Sequence, residues 1–391
     1  MENDIASFTS LYKAYKKAKK NKRCTNSVLK YEMQVIENTA RLCDELKNRT
    51  YRPSPTYTFR VYEPKERVVE ANAFVDKVVQ HSLCDNALVP YFSSSFIRDN
   101  YASQVGKGTQ DALDRLQFFM RKYYFQRKAE SDKHSRENGL AYVPLGKGGY
   151  ENGWVLKGDF AHYFYSIQHW PLKMKAHEKI VQRAPDAETR DFCCWLLDLF
   201  IDSTEGVGIP IGFQTSQPLA ILNLDEMDHY VKEELGAKMY GRYMDDFYII
   251  HESKEQLKEW LADIQNLIKP LGLRLNNKTQ IFPLTQGLDF LGYHTYLAST
   301  GKVVRKIRNT KKSSLRRKLK KFRKKLDAGA ITIPEIVQSY ESTKSHMEHG
   351  NTYRVLRDMD DFFYKLFPEI PRGKGTKDGK KNNGTRRRQQ S

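Results

Sequence analysis

Apolar residues recur at helical spacing through residues 1–50, with Phe8, Leu11 and Tyr15 on one face and the basic run "KKAKKNKR" beside them. The two prolines of "YRPSPTY" break that pattern. In "YTFRVYEPKERVVEAN" apolar and polar positions alternate, which predicts a two-stranded hairpin turning near Pro64. Helical spacing returns in "AFVDKVVQHSLCDNALVPYF". Residues 127–152 are polar and Gly-rich and predict a surface excursion before a strand that starts at Trp154. That strand, in "GWVLKGDFAHYFYSI", ends at or just beyond Asp159. Helices are predicted in "KMKAHEKIVQRA" and "DAETRDFCCWLLDLFID", and a Gly-rich loop feeds another in "GVGIPIGFQTSQPLAILNLDEMDHYVKEEL". "KMYGRYMDDFYIIHES" reads as two short apolar strands meeting at Asp245 and Asp246, followed by an amphipathic helix in "SKEQLKEWLADIQNLIKPLG". "RLNNKTQIFPLTQGLDFLGYHTYLAST" predicts further short strands. A basic run from Lys302 to Lys325 then continues helically to about Phe367, and the tail is basic and of low complexity.

Adjacent carboxylates inside an apolar run are costly unless solvated in a turn, paired, or bound to a metal. Asp159, at the end of a separate strand, offers a third carboxylate. Carboxylates from two strands meeting at a sheet edge can hold a pair of Mg²⁺ ions, with Mn²⁺ as a substitute, because such ions prefer hard oxygen ligands shared with substrate phosphates. Two ions of that kind serve in-line phosphoryl displacement. Lys65 and Arg67, at the predicted hairpin, are placed to hold triphosphate oxygens. The ring of Phe164, five positions after Asp159, is bulky enough to lie beneath an incoming sugar. Gly208 and Gly212, around Pro210, permit close backbone approach. Lys278, in "LNNKTQ", is a candidate general acid toward a leaving pyrophosphate.

Composition narrows the partners. The 391 residues hold 66 Lys and Arg against 47 Asp and Glu, a formal charge of +19, which favours a polyanion. No apolar run is long enough to span a bilayer, and "MENDIASFTS" lacks the basic and apolar parts of a signal peptide. The five cysteines are odd in number and form no CxxC pair, which fits free thiols in a reducing cytosol. On the basic run, Arg316, Arg317, Lys320, Lys321 and Lys324 are candidates for phosphate contact, while Leu315, Leu319, Phe322 and Leu326 share a packing face.

The blocks "KGDFAHYF", "GIPIGFQTSQPLAILNLDEMD", "YMDD", "LNNKTQ" and "FLGY", in that order, resemble a bacterial reverse transcriptase. "PKERVVEANAFVDKVVQHSL" and "NYASQVGKGTQDAL" resemble its finger and template-contacting blocks, so the likeness runs from about Arg60 to Phe367. The resemblance implies an α+β right-hand polymerase with fingers, a palm built on an antiparallel sheet, and a helical thumb. It implies the following division: an N-terminal helical region at 1–50, fingers and the start of the palm at 51–158, palm at 159–300, thumb at 301–367 and a disordered basic tail at 368–391. It makes Asp159, Asp245 and Asp246 the catalytic, metal-binding set. It further implies nucleotide contacts from Phe160, Phe164 and Gln217, with Phe164 as the sugar gate, and support of the primer end by Phe290, Leu291 and Gly292.

One departure narrows the subfamily. Where many bacterial reverse transcriptases read QGxxxSP, this chain reads Ile211-Gly212-Phe213-Gln214-Thr215-Ser216-Gln217, the IGxxxSQ form that resembles the enzymes of diversity-generating retroelements. Those enzymes copy a template RNA with errors opposite adenine. Ile211, Gly212, Ser216 and Gln217 are then template and fidelity positions, since an apolar side chain at 211 holds base-pair geometry less firmly than a polar one. The implied partners are an RNA template, a primer with its cDNA, deoxynucleotides and a small basic accessory protein, with no membrane, in a cytoplasmic enzyme encoded by a bacterium or phage. Two other readings fit the same residues: an antiphage-defence or retron-like reverse transcriptase, and a non-catalytic RNA-binding protein that keeps a polymerase fold.

Overall fold

Ser7 caps the first helix by accepting the Ser10 N–H, and α1 (Phe8–Ala18) turns Leu11, Ala14, Tyr15 and Ala18 inward at three- and four-residue steps. Helices α2 (Asn26–Glu32) and α3 (Val35–Lys47) add Val28, Tyr31, Leu42 and Leu46 to the same core. The computed structural model describes residues 4–22, 25–62, 67–139 and 149–372. Strand β1 (Tyr57–Val61) pairs antiparallel with β2 (Arg67–Ala71), Tyr57 opposite Ala71 and Val61 opposite Arg67. The expected turn at Pro64, Lys65 and the Arg67 side chain lie outside the described residues, as does the tail beyond Arg372.

Helix α4 (Phe74–Leu83) passes through a π-helical turn at Cys84–Leu88 into α5 (Val89–Ser93). Helix α6 (Thr109–Glu137) is a single run of 29 residues. It carries through much of the stretch read from sequence as a surface excursion. Leu113, Leu116, Phe119, Met120, Tyr123 and Tyr124 anchor its first half in the core. The polar second half, with its Arg, Lys and Glu residues, needs little burial to extend a helix already nucleated. It stops at Gly139, whose φ of +63° belongs to the left-handed region that ends helices.

Strand β3 (Trp154–Asp159) is followed by α7 (Tyr163–Ser166), α8 (His169–Arg183), α9 (Ala187–Ile201), α10 (Ser216–Asn223) and α11 (Asp225–His229). Strands β4 (Tyr240–Tyr243) and β5 (Asp246–His251), helix α12 (Lys254–Ile268) and strand β6 (Gln280–Pro283) complete an antiparallel sheet of order β4-β5-β3-β6. Helices α6 and α12 both lie against this sheet, and Phe247, Tyr248, Ile249 and Ile250 are all buried. That is why β5 reads as an unbroken apolar run and not as an alternation. Phe247 and Tyr248 each lie across a glycine of the neighbouring strand, Gly158 and Gly241. A Cβ on Gly158 would stand 2.1 Å from the Phe247 ring.

The chain forms two units, Met1–Leu291 with Thr295–Val303, and Gly292–His294 with Val304–Ser391. Three short strands, β7 (Leu288–Phe290), β8 (Tyr293–Leu297) and β9 (Val303–Ile307), pair in that order, and the division runs through them. The basic run therefore opens as a strand, with Val303, Arg305 and Ile307 alternately buried, before α13 (Asn309–Asp327) begins. In the second unit α13, α14 (Ile333–Glu348) and α15 (Tyr353–Leu366) share a core of Leu315, Leu319, Ile336, Tyr340, Met347, Met359 and Phe363. The rings of Tyr340 and Phe363 stack at 4.0 Å. Among the described residues no helix is long and apolar enough to cross a membrane.

Gly158→Ala is expected to lower stability by about 1–3 kcal/mol, because the added methyl must displace a buried ring. A thermal melt measures it; an unchanged midpoint would mean that Phe247 yields freely.

Candidate active site

The strand pairing of β3 with β5 ends on Asp159 opposite Asp246. A two-residue turn, Met244-Asp245, joins β4 to β5. Met244 takes a φ of +58°, a left-handed conformation that costs a non-glycine residue roughly 1–2 kcal/mol. The Asp245 carbonyl accepts the Phe160 N–H at 3.3 Å, which ties the turn to the end of β3. Three carboxylates from two elements therefore come together at one end of the sheet.

Their charges act on one another. Burial pushes the Asp246 carboxyl up to about 7, and the charges of Asp159 and Asp245 push in the same direction while Lys157 opposes them. Asp246 Oδ1 is buried, makes no hydrogen bond, and lies 3.7 Å from Lys157 Nζ. Lys157 Nζ donates instead to the Asp289 carbonyl at 2.7 Å. Asp159 is held by the "LNNKTQ" loop: its carbonyl accepts the Asn276 N–H at 2.6 Å and its Oδ2 accepts Asn276 Nδ2 at 3.3 Å. Its own N–H donates to Thr279 Oγ1 at 3.4 Å. Lys278, in the same loop, is exposed, and its N–H donates to Asn276 Oδ1 at 3.1 Å.

The donor set suits a hard divalent cation. Every donor is a carboxylate oxygen, and buried Asp246 Oδ1 makes no hydrogen bond, with Lys157 Nζ 3.7 Å away as its ion-pair partner. Among the described residues no group of three or more His, Cys, Asp or Glu side chains is placed to hold a metal ion. Mg²⁺ takes waters and substrate phosphates among its ligands and is often held by only one or two carboxylates.

The other sequence-derived positions fall into three groups. Phe160 is 3 % exposed, its ring 6.1 Å from that of Phe247, so it meets the turn through its backbone and not its side chain. Phe164 is half-buried against the core, and its carbonyl accepts the Ile209 N–H at 2.8 Å, which binds the loop before α10 to the chain following Asp159. In that loop Ile211 and Gly212 are half-buried; at the start of α10 Ser216 is buried and exposed Gln217 accepts the Ser103 hydroxyl at 2.5 Å. Gly212 approaches protein backbone: a Cβ there would stand 2.1 Å from the Glu70 carbonyl oxygen of β2. Phe290 is buried with its ring 5.2 Å from that of Tyr248, Leu291 has a φ of +49°, and the unit division falls between Leu291 and Gly292. In the second unit Arg316, Arg317, Lys320, Lys321 and Lys324 are all exposed on α13, and His346 packs against Tyr293 and Lys311.

A family model for reverse transcriptase (RNA-dependent DNA polymerase) matches residues 100–295, half of the chain and all three aspartates. The chain belongs to the reverse transcriptase family. As such it is an RNA-directed DNA polymerase, a nucleotidyltransferase, and its helices and antiparallel sheets form the α+β polymerase fold. Protein YkfC of Escherichia coli (strain K12) is 24% identical over 317 residues, 70% of this chain and 73% of that protein. Among solved structures it is similar to apo telomerase of Candida tropicalis truncated from its C-terminal domain, at TM-score 0.46 and 14% identity over 66% of this chain. Telomerase of Candida albicans in complex with a TWJ fragment of telomeric RNA follows at TM-score 0.44 and 11% identity over 86% of this chain. The chain spans 58% and 65% of those two telomerases, less than two thirds of each.

The structure adds residues to this reverse transcriptase's site that sequence reading missed. Lys157 is one; its signal was a lysine two positions before Asp159, on the same side of the strand. Asn276 is a second, hidden in a loop read only for its lysine. The third is Arg242, in the middle of "GRYMDD", with no exposure at all. Its guanidinium grips Asp228 through two bonds of 2.7 and 2.6 Å and reaches the Met244 carbonyl at 2.8 Å. Burial works against its charge, but Asp228 more than offsets that and holds Arg242 firmly protonated.

The raised Asp246 carboxyl sets a pH dependence for the metal-free reverse transcriptase. Between 3.8 and about 7 the folded chain keeps a proton that the unfolded chain has released, so stability is lost as pH rises through that window. Asp246→Asn, which cannot ionise, is expected to exceed wild type at about pH 8 by roughly 2 kcal/mol and to match it near pH 4. Thermal unfolding with chelator present measures this; an equal difference at both pH values would exclude charge burial as its cause.

Proposed function

We propose that this reverse transcriptase extends a primer 3′-hydroxyl with deoxynucleotides along an RNA template, using Asp159, Asp245 and Asp246 as its catalytic carboxylates. The observation that carries this reading is the register that sets Asp159 opposite Asp246 beside the Asp245 turn, inside the matched family segment. Asp159 and Asp245 are the direct metal ligands; Asp246, the member nearest Lys157, supports them. Bound there, two Mg²⁺ ions, or Mn²⁺ in their place, would activate the attacking oxygen and steady the leaving pyrophosphate. Asn276 orients the Asp159 carboxylate, and exposed Lys278 delivers a proton to the departing pyrophosphate. Lys65, Arg67 and Gln217 hold the nucleotide, with Phe164 beneath its sugar. Phe290, from within the core, backs the Leu291-Gly292 turn against the primer end. The exposed cations of α13 hold duplex phosphates.

The finer reading is a low-fidelity enzyme of a diversity-generating retroelement, working with a small basic accessory protein. Its support is the apolar Ile211 in a loop packed directly on the β2 backbone at Gly212, so that the residue beside the templating pair offers no hydrogen bond of its own.

Two experiments test these readings. The Asp245→Ala, Asp246→Ala double variant is expected to lose primer extension at least a hundredfold, about the cost of removing transition-state charge stabilisation; full retention would refute the carboxylate assignment. Sequencing cDNA made on a defined RNA should show errors concentrated opposite adenine. An even error spectrum would favour a defence or retron-like enzyme instead.

A further inference from the structure

Burying a charged pair is seldom the best way to stabilise a core, since apolar side chains of the same size often do as well or better. Arg242 and Asp228 are nevertheless both fully buried. Asp228 is saturated: besides the two guanidinium bonds it accepts the Tyr240 hydroxyl at 2.5 Å and Asn100 Nδ2 at 3.1 Å. The Arg242 backbone is fixed as well, its N–H donating to the Asp99 carbonyl at 3.0 Å and its carbonyl accepting the Tyr101 N–H at 3.1 Å. The arginine thus cannot shift as a whole. What it holds with its remaining donors are two carbonyls: Ile221 on α10 at 3.2 Å and Met244 at 2.8 Å.

Met244 is the left-handed residue of the turn that carries Asp245. Released, a methionine there gains by rotating its backbone out of that conformation, and the rotation would carry away the next peptide and the Asp245 carbonyl bonded to Phe160. We propose that Arg242 is a positioning residue for the reaction: through the Met244 carbonyl it holds the turn in its left-handed form and so fixes Asp245 beside Asp159. The inference rests on the reading of Asp245 as catalytic. It also joins the active turn to α10, the helix that starts at Ser216 within the Ile211–Gln217 segment, through one guanidinium.

The test uses glycine, which adopts the left-handed conformation without strain. Arg242→Lys keeps the charge but loses the fork that reaches Asp228 and Met244 together. Extension rates at saturating deoxynucleotide, KM values and thermal midpoints are measured for Arg242→Lys, Met244→Gly and the double variant. Arg242→Lys is expected to lower kcat about tenfold or more, as a misplaced catalytic group does, and to lower the midpoint. Adding Met244→Gly should return kcat to within about threefold of Met244→Gly alone, with the midpoint still low. Asp228→Asn, which loosens the same grip with its shape kept, supplies the comparison if Arg242→Lys does not fold. If kcat and midpoint fall together and glycine rescues neither, or if a folded Arg242→Lys keeps full kcat, Arg242 is a core residue only and the proposal fails. Asp245→Asn in the otherwise unaltered chain separates the two claims: retained activity there would refute the carboxylate reading and with it the positioning claim, whereas loss of activity there beside a folded Arg242→Lys at full kcat would refute the positioning claim alone.

Discussion

The site depends on a strand register that places like charges against each other. Asp159 and Asp246 face across β3 and β5 where neither gains from the other. A slip of one residue would relieve the repulsion and send one carboxylate to the other face of the sheet. The register holds because side-chain packing along the same two strands opposes any slip. Phe247 lies over Gly158 and Tyr248 over Gly241, where a Cβ would clash with each ring, and Asn276 ties down Asp159. The apolar core of the sheet therefore supports an arrangement that its own end disfavours, and under the proposed function a divalent cation bound there would offset that cost.

The same logic runs through the turn. Met244 stands in a conformation that a glycine would take without cost, and a buried arginine is bonded to its carbonyl. Lys157 sits close enough to Asp246 to moderate its charge but spends its short hydrogen bond on Asp289. A carboxylate fully paired with that lysine would have less need of a metal. The distances of 3.7 and 2.7 Å mark the difference between tuning the site and quenching it.

Much of this could be read from the chain. The hairpin of "YMDD", the strand ending at Asp159 and the two helices after it follow directly from apolar runs and their punctuation. The three aspartates stood out because carboxylates are rare in buried strands. What stayed hidden was set by contacts distant in sequence. Nothing in the run around Arg242 announced its partner, Asp228, fourteen residues earlier, which meets it inside the core. Aromatics serve both cores and ligands, so the sequence alone did not show that the side chains of Phe160 and Phe290 are buried. Gly212 signalled a close backbone approach, and the structure shows the backbone of β2 as one group it approaches. The second half of α6 lacks apolar spacing altogether, so periodicity had nothing to register there.

The most direct test is made with the unaltered chain on a defined RNA carrying an annealed DNA primer, with labelled deoxynucleotides. The account predicts extension to the end of the RNA when Mg²⁺ or Mn²⁺ is supplied and none when the ion is chelated. Absence of any extension with either ion, from folded protein that still binds the RNA, would contradict it.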